Sequence, residues 1–246
     1  MLTGGSFILA SCNDFLDREP LDSVTPDNFF FTENDLAAYA VKHYNFTTHE
    51  GFNAGIWKND NATDNQAATD YDKKWIPGQW KVPEAYDNPA SNDPWYFSTI
   101  REANYFLETV VPRFEKGEIE GSETNIKHYI GEMYFLRAKN YLSKLETFGD
   151  FPIIKNTLPD ESESLIQASK RAPRYKVAHF ILEDLDQAIS LLTNNISGGK
   201  NRITKNAALL LKSRAALFEA SWLTYHKGTA LVPGGPGWPG KEKGAC

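Results

Sequence analysis

Between residues 122 and 147, Ile126, Ile130, Met133, Tyr134, Ala138, Tyr141, Leu142 and Leu145 recur at helical spacing. Apolar side chains three and four residues apart line one face of a helix, and so long a face must be covered by other elements. Four more segments keep the same period. Leu36, Ala37, Ala40, Val41 and Tyr44 predict a helix over about 33–47. Ile100, Ala103, Phe106, Leu107 and Val110 predict one over about 95–111, ended by Pro112. Val177, Ile181, Leu182, Leu185, Ala188, Ile189 and Leu192 predict one over about 174–194. Ala207, Ala208, Leu211, Ala215, Leu217, Phe218 and Trp222 predict one over about 204–226. No strand alternation of comparable length competes, so the fold class is all-α with long irregular loops. The alanines of the last segment let helices approach closely, as in stacked helical hairpins of the tetratricopeptide kind.

The ends of these segments carry their own signals. Thr32 with Asp35 has the form of a capping box. Gly149, with Pro152 just beyond, stops the long central helix, and residues 150–173 read as a connector. Arg101 and Arg137 lie on otherwise apolar faces, which predicts that each pairs with a carboxylate or a carbonyl inside the scaffold. Three parts are expected: a leader over 1–12, an extended proline-punctuated tether over 13–31, and a helical domain over 32–246 that looks cut partway.

A net charge of −6, with no Lys/Arg cluster, argues against nucleic acid as a partner. The chain contains no apolar run long enough for a transmembrane helix. It also lacks the G-x-S-x-G, H-E-x-x-H, Walker and G-x-G-x-x-G patterns, so no enzyme is expected. Its two cysteines, Cys12 and Cys246, and its histidines have no metal-ligand spacing, and neither metal nor cofactor is expected. Leu9-Ala10-Ser11-Cys12 has the form of a bacterial lipobox, which makes Cys12 the expected lipidation site. Cys246 is given no role.

Residues 48–94 are polar, and Pro77, Pro83, Pro89 and Pro94 break them up. A loop this long in a compact domain is usually functional. It holds Trp57, Trp75 and Trp80, with Trp95 at its end. A sugar ring has one flat C–H face and a rim of hydroxyls, which aromatic faces and Asp or Asn side chains suit. Trp57, Asp64, Asn65, Trp75 and Trp80 are therefore the candidate ligand residues. The competing reading is that these tryptophans pack the underside of the loop.

Five ordered blocks carry a resemblance. They are Cys12 with Asp14-Phe15-Leu16-Asp17; Ile100-Arg101-Glu102-Ala103-Asn104-Tyr105-Phe106-Leu107; Gly131 to Ala138 leading to Phe148-Gly149-Asp150-Phe151-Pro152; Asp184 to Ala188; and Arg202 to Ala208. Together they resemble the SusD/RagB family of nutrient-binding lipoproteins. The resemblance implies a tetratricopeptide-like helical scaffold and a lipid anchor in the outer membrane, with the protein surface-exposed. It implies an oligosaccharide or other nutrient ligand, and a TonB-dependent transporter of the SusC type as partner. Family members run to roughly twice this length, so an apolar edge is expected where further chain would pack. The alternative is a tetratricopeptide-like protein–protein interaction module that binds no carbohydrate.

Overall fold

The structure is a computed structural model that describes residues 29–46, Ile76, 95–196 and 201–238. Cys12, most of the tether and nearly all of the tryptophan-bearing loop lie outside these residues. The described helices are α1 (Glu33–Lys42), α2 (Ser98–Lys116), α3 (Glu123–Phe148), α4 (Ser162–Ala168), α5 (Arg174–Leu191) and α6 (Lys205–Tyr225). Among the described residues the strand-like pairings are isolated bridges, Thr32 with Glu120 and Phe151 with Ala172.

Local chemistry sets the helix ends. The Thr32 hydroxyl accepts from the Asp35 N–H, and the Asp35 carboxylate accepts from the Thr32 N–H at 2.9 Å. That reciprocal pair satisfies backbone donors that the first turn of α1 would leave bare. Gly149, at a φ of 73°, closes α3 as expected. Pro112, however, does not end α2. The helix runs on through it to Lys116, and Gly117 in the left-handed region stops it. Pro112 and Glu108 are both exposed, so water can serve the carbonyl that the missing N–H leaves unbonded.

Helix α4 was not anticipated in the 150–173 connector. It is only two turns long and has no buried residue, so it leaves no apolar period to read. Val41 and Leu217, expected inward, face out at 48% and 69% exposure. Leu217 does so because α6 packs mainly on α5 and little on α3, so one side of it is bare. Leu209 and Leu210 share that bare face.

Helices α2 and α3 form one hairpin and α5 and α6 another, and α3 packs on α5 to join them. Helix α3 is buried on nearly every side, through Ile126, Ile130, Met133, Leu136, Tyr141 and Leu145 among others. Gly131 permits close approach of the chain ending α5. A Cβ there would lie 3.0 Å from Leu192 Cγ and 3.1 Å from Leu191 Cβ.

Three buried arginine clusters surround α3. The Arg137 guanidinium donates to both Asp184 oxygens, at 2.7 and 2.8 Å, and to Asn104 Oδ1 at 2.9 Å. Burial pushes the Asp184 carboxyl up, while the Arg137 guanidinium pulls it back down. Arg202 donates to both Glu132 oxygens and to the Ala37 carbonyl, and its guanidinium lies 4.6 Å from the centre of the Tyr129 ring. Arg174 donates to Glu219 at 2.8 Å and to the Leu145 carbonyl at 3.3 Å. Arg137 thus takes the interior pairing expected of it. Arg101 does not: it is exposed, because it lies on the outward face of α2 that also carries Glu108 and Pro112, while Ile100, Ala103 and Asn104 face inward.

Removing one partner of a buried pair strands the other charge. Asp184→Ala is expected to lower the unfolding free energy by about 3–5 kcal/mol, and Arg137→Met/Asp184→Leu by much less. Urea unfolding followed by circular dichroism checks both, and a double variant as weak as the single one would refute the charge-stranding account.

Candidate functional site

The chain leaves α1 and returns to α2 at one end of the bundle. Tyr39 near the end of α1 donates to the Glu102 carbonyl at 3.1 Å, and Lys42 Nζ lies 3.9 Å from the Glu102 carboxylate. Both anchors meet the beginning of α2, so the end of α1 and the beginning of α2 lie together at this end.

An aromatic cleft opens beside it. Phe97 lies on Phe151 at 5.0 Å with the rings 11° from parallel. Trp95 lies 4.1 Å from Phe148 and 5.7 Å from Phe151. The Arg171 guanidinium lies 4.8 Å from the centre of the Trp95 ring. The corner 148–152 holds this stack in place. Gly149 turns the chain, and Phe151 is pinned by hydrogen bonds in both directions with Ala172, at 3.2 and 3.0 Å.

The cleft has a volume of about 410 Å3. Trp95, Phe97, Ile100, Pro152, Ile154 and Leu165 give it an apolar lining, and Arg101, Asn156 and Ser169 supply polar groups. One wall, residues 153–156, is an irregular strip held by side chains from two helices. The Ile154 N–H donates to the Tyr141 hydroxyl at 2.8 Å, which donates back to the Ile154 carbonyl at 3.1 Å. Asn104 Nδ2 donates to the same carbonyl at 2.8 Å and to that of Asn156 at 3.3 Å. Arg137 reaches the Lys155 carbonyl at 3.3 Å. Burial pushes the Tyr141 phenol up to about 12, so it stays neutral and keeps both hydrogen bonds at physiological pH. Asn104 lines the cleft, but its amide is committed to the wall and to Arg137, which makes it a positioning residue.

The predicted ligand residues Trp57, Asp64, Asn65, Trp75 and Trp80, and the predicted lipidation site Cys12, lie outside the described residues. Trp95, which ends the tryptophan-bearing stretch and is not among the predicted ligand residues, is half-buried in the cleft. Sequence reasoning missed the cleft itself. The signal was present in Phe148-Gly149-Asp150-Phe151-Pro152, which reads as a helix stop, although two phenylalanines flanking a turn can also back a stack of aromatic rings. Among the described residues no cluster of three His, Cys, Asp or Glu side chains suits a metal ion, and no helix is long and apolar enough to cross a membrane.

A family profile of the SusD-like group, described as "Starch-binding associating with outer membrane", matches residues 14–217. The chain belongs to this SusD-like family. A SusD-like protein of Formosa agariphila is 25% identical over 186 residues, covering 73% of this chain and 35% of that protein. The crystal structure of a SusD-like protein from Bacteroides fragilis superposes with a TM-score of 0.60 at 25% identity, covering 83% of this chain and 38% of that one. A second Bacteroides fragilis structure, a SusD-like carbohydrate binding protein, shares the fold with a TM-score of 0.56 at 17% identity, over 81% of this chain and 40% of that one. The matched part of the chain spans little more than a third of these relatives, which are roughly twice as long as this chain, as the resemblance implied.

Tyr141→Phe removes the hydroxyl that serves both polar groups of Ile154. It is expected to lower stability by about 1–3 kcal/mol, since those groups lose a buried partner. Hydrogen exchange should speed up at the Ile154 amide and not at the α5 amides. Unchanged protection at Ile154 would show that the wall does not depend on Tyr141.

Proposed function

We propose that this chain is the helical part of a surface protein that captures oligosaccharide and passes it to a TonB-dependent transporter of the SusC type. In this reading Cys12 carries the lipid that anchors the protein in the outer membrane. Trp57, Trp75 and Trp80 offer their ring faces to the sugar, and Asp64 and Asn65 bond its hydroxyls. The protein binds and releases, and no covalent bond is made or broken. The helical domain is read as extending from residue 32 to the end of the given sequence, after the tether.

One observation carries the reading. The aromatic cleft at Trp95 opens at the end of the bundle where the end of α1 and the beginning of α2 meet. An aromatic platform with polar groups beside it suits a pyranose, whose faces are apolar and whose edge is hydroxylated. The family description, starch binding with outer-membrane association, points the same way. A second reading, a tetratricopeptide-like module that binds protein, has one observation in its favour: Leu209, Leu210 and Leu217 lie exposed along α6.

Two measurements on the natural full-length product separate these readings. Pull-down from detergent-solubilised outer membrane is expected to bring a TonB-dependent barrel, and affinity electrophoresis is expected to show retardation by polysaccharide. Trp57→Ala, Trp75→Ala or Trp80→Ala should each weaken retardation about tenfold, equivalent to about 1.4 kcal/mol, with the helical spectrum unchanged. Unfolding of these variants would instead make the tryptophans packing residues. Absence of both barrel and retardation would leave the interaction module.

A further inference from the structure

A second cavity, of about 270 Å3, lies where the end of α1 meets α2 and α3. Its lining is far more polar than that of the first cleft, with Ala103, Met133 and Leu136 supplying an apolar part. His43, Tyr96, Glu102, Lys139 and Asn140 contribute to it, with Lys42 beside them. Asn45 and Tyr96 also line it, so it adjoins both points where the 47–94 loop joins the helices.

The chemistry centres on His43. Its side chain is only 10% exposed, with Nδ1 3.4 Å from Glu102 Oε2 and the ring 4.7 Å from that of Tyr39. Nε2 is buried and has no hydrogen-bond partner among the described residues. Burial holds the imidazole below its ordinary pKa, with Lys42 adding to the effect and Glu102 opposing it. A neutral imidazole has one N–H and one lone pair, and the neighbouring carboxylate draws the N–H to Nδ1. Nε2 is therefore a buried acceptor in need of a donor. On the α3 side, Lys139 Nζ donates to the Asn45 carbonyl at 3.0 Å, and Asn140 Nδ2 donates to the Leu136 carbonyl at 2.9 Å. An ammonium has three N–H groups and an amide two, so both have donors to spare.

A ligand that suits these groups must donate and accept within one small ring. A hydroxyl does both. A carboxylate or sulfate has no proton to give Nε2 and would face Glu102. The volume is just below the range of about 300–1,000 Å3 typical of drug-sized ligands, which suits one ring and not a chain. We propose that this cavity is a subsite for a single neutral pyranose, whose hydroxyls donate to His43 Nε2 and Glu102 and accept from Lys139 and Asn140. The inference rests on the glycan-capture reading, and it places one sugar unit of the ligand among the ends of α1, α2 and α3.

The test follows the ring nitrogens of His43 by NMR in the 15N-histidine-labelled chain. D-glucose, D-galactose, D-mannose and N-acetyl-D-glucosamine are titrated separately, with D-glucuronate as the anionic control. At least one neutral sugar is expected to move the Nε2 resonance saturably in the millimolar range. His43→Phe should abolish the enthalpy of binding by calorimetry, and Lys139→Met should weaken binding about tenfold, so the outcome does not depend on one buried variant folding. Silence of Nε2 toward all four neutral sugars would overturn the subsite, as would a response to glucuronate alone or a proton residing on Nε2. Polysaccharide retardation measured on the same sample keeps the two ideas apart. Retardation with a silent His43 refutes the subsite and leaves glycan capture standing, whereas a responding His43 without retardation supports the subsite and counts against capture of long glycans.

Discussion

Helix α3 is held by three desolvated charge clusters, and the rest of the described structure is placed relative to it. A helix apolar on nearly every side has no polar face to fix its rotation, so hydrophobic burial alone tolerates several registers. Directional pairs remove that freedom. Glu132, Arg137 and the Leu145 carbonyl meet Arg202, Asp184 and Arg174 respectively. At about 1.5 Å per residue these points lie roughly 8 and 12 Å apart along the axis. Each cluster ties α3 to a different pair of elements: the loop before α6 with α1, then α5 with α2, then α5 with α6. Apolar residues of the same shape could match such pairs in stability, so their distinctive contribution is to set one arrangement. His128 extends the first cluster. Its Nδ1 accepts from the Thr193 N–H at 3.2 Å, which leaves the ring proton on Nε2, 3.1 Å from Glu132.

Those clusters connect fold to site. Arg137 holds Asn104, and Asn104 holds the carbonyls of Ile154 and Asn156, which wall the aromatic cleft. The wall has no sheet or helix of its own, so its polar groups must be answered by side chains. Tyr141 and Asn104 answer them from α3 and α2. The cleft is therefore shaped by the same network that sets the helix register.

The long helices were legible because their apolar periods are long and their ends carry chemistry, as at Thr32 and Gly149. The errors have specific causes. Pro112 stays inside α2 because the carbonyl it leaves unbonded faces water. Helix α4 is too short to show a period. The inward direction of Leu217 depends on what packs beyond α6, which a helical period cannot report. Arg137 could be read as a buried ion in need of a partner, yet Asp184 lies 47 residues away and only the packing names it. The cleft was hidden because its Trp95 and Phe97 are backed by Phe148 and Phe151, residues far apart in sequence that meet through the turn at Gly149. The His43 cavity was hidden because an isolated histidine on a helix carries no spacing signal.

The two cavities share one boundary, and its geometry follows from helical spacing. Along the beginning of α2, Phe97, Ile100, Arg101 and Asn104 line the aromatic cleft, while Tyr96, Thr99, Glu102 and Ala103 line the polar cavity. Each set steps by three or four residues, or sits side by side, so each occupies one face of the same turns. A single element thus presents Phe97 and Ile100 to one cavity and Thr99 and Glu102 to the other. A pyranose carries the same division within one molecule, flat and apolar on its faces and hydroxylated at its edge. Shifting this register by one residue would turn either Glu102 toward the cleft or Arg101 toward the polar cavity, according to the direction of the shift. The pairing of Tyr39 with the Glu102 carbonyl and of Arg137 with Asn104 fixes that register from both sides.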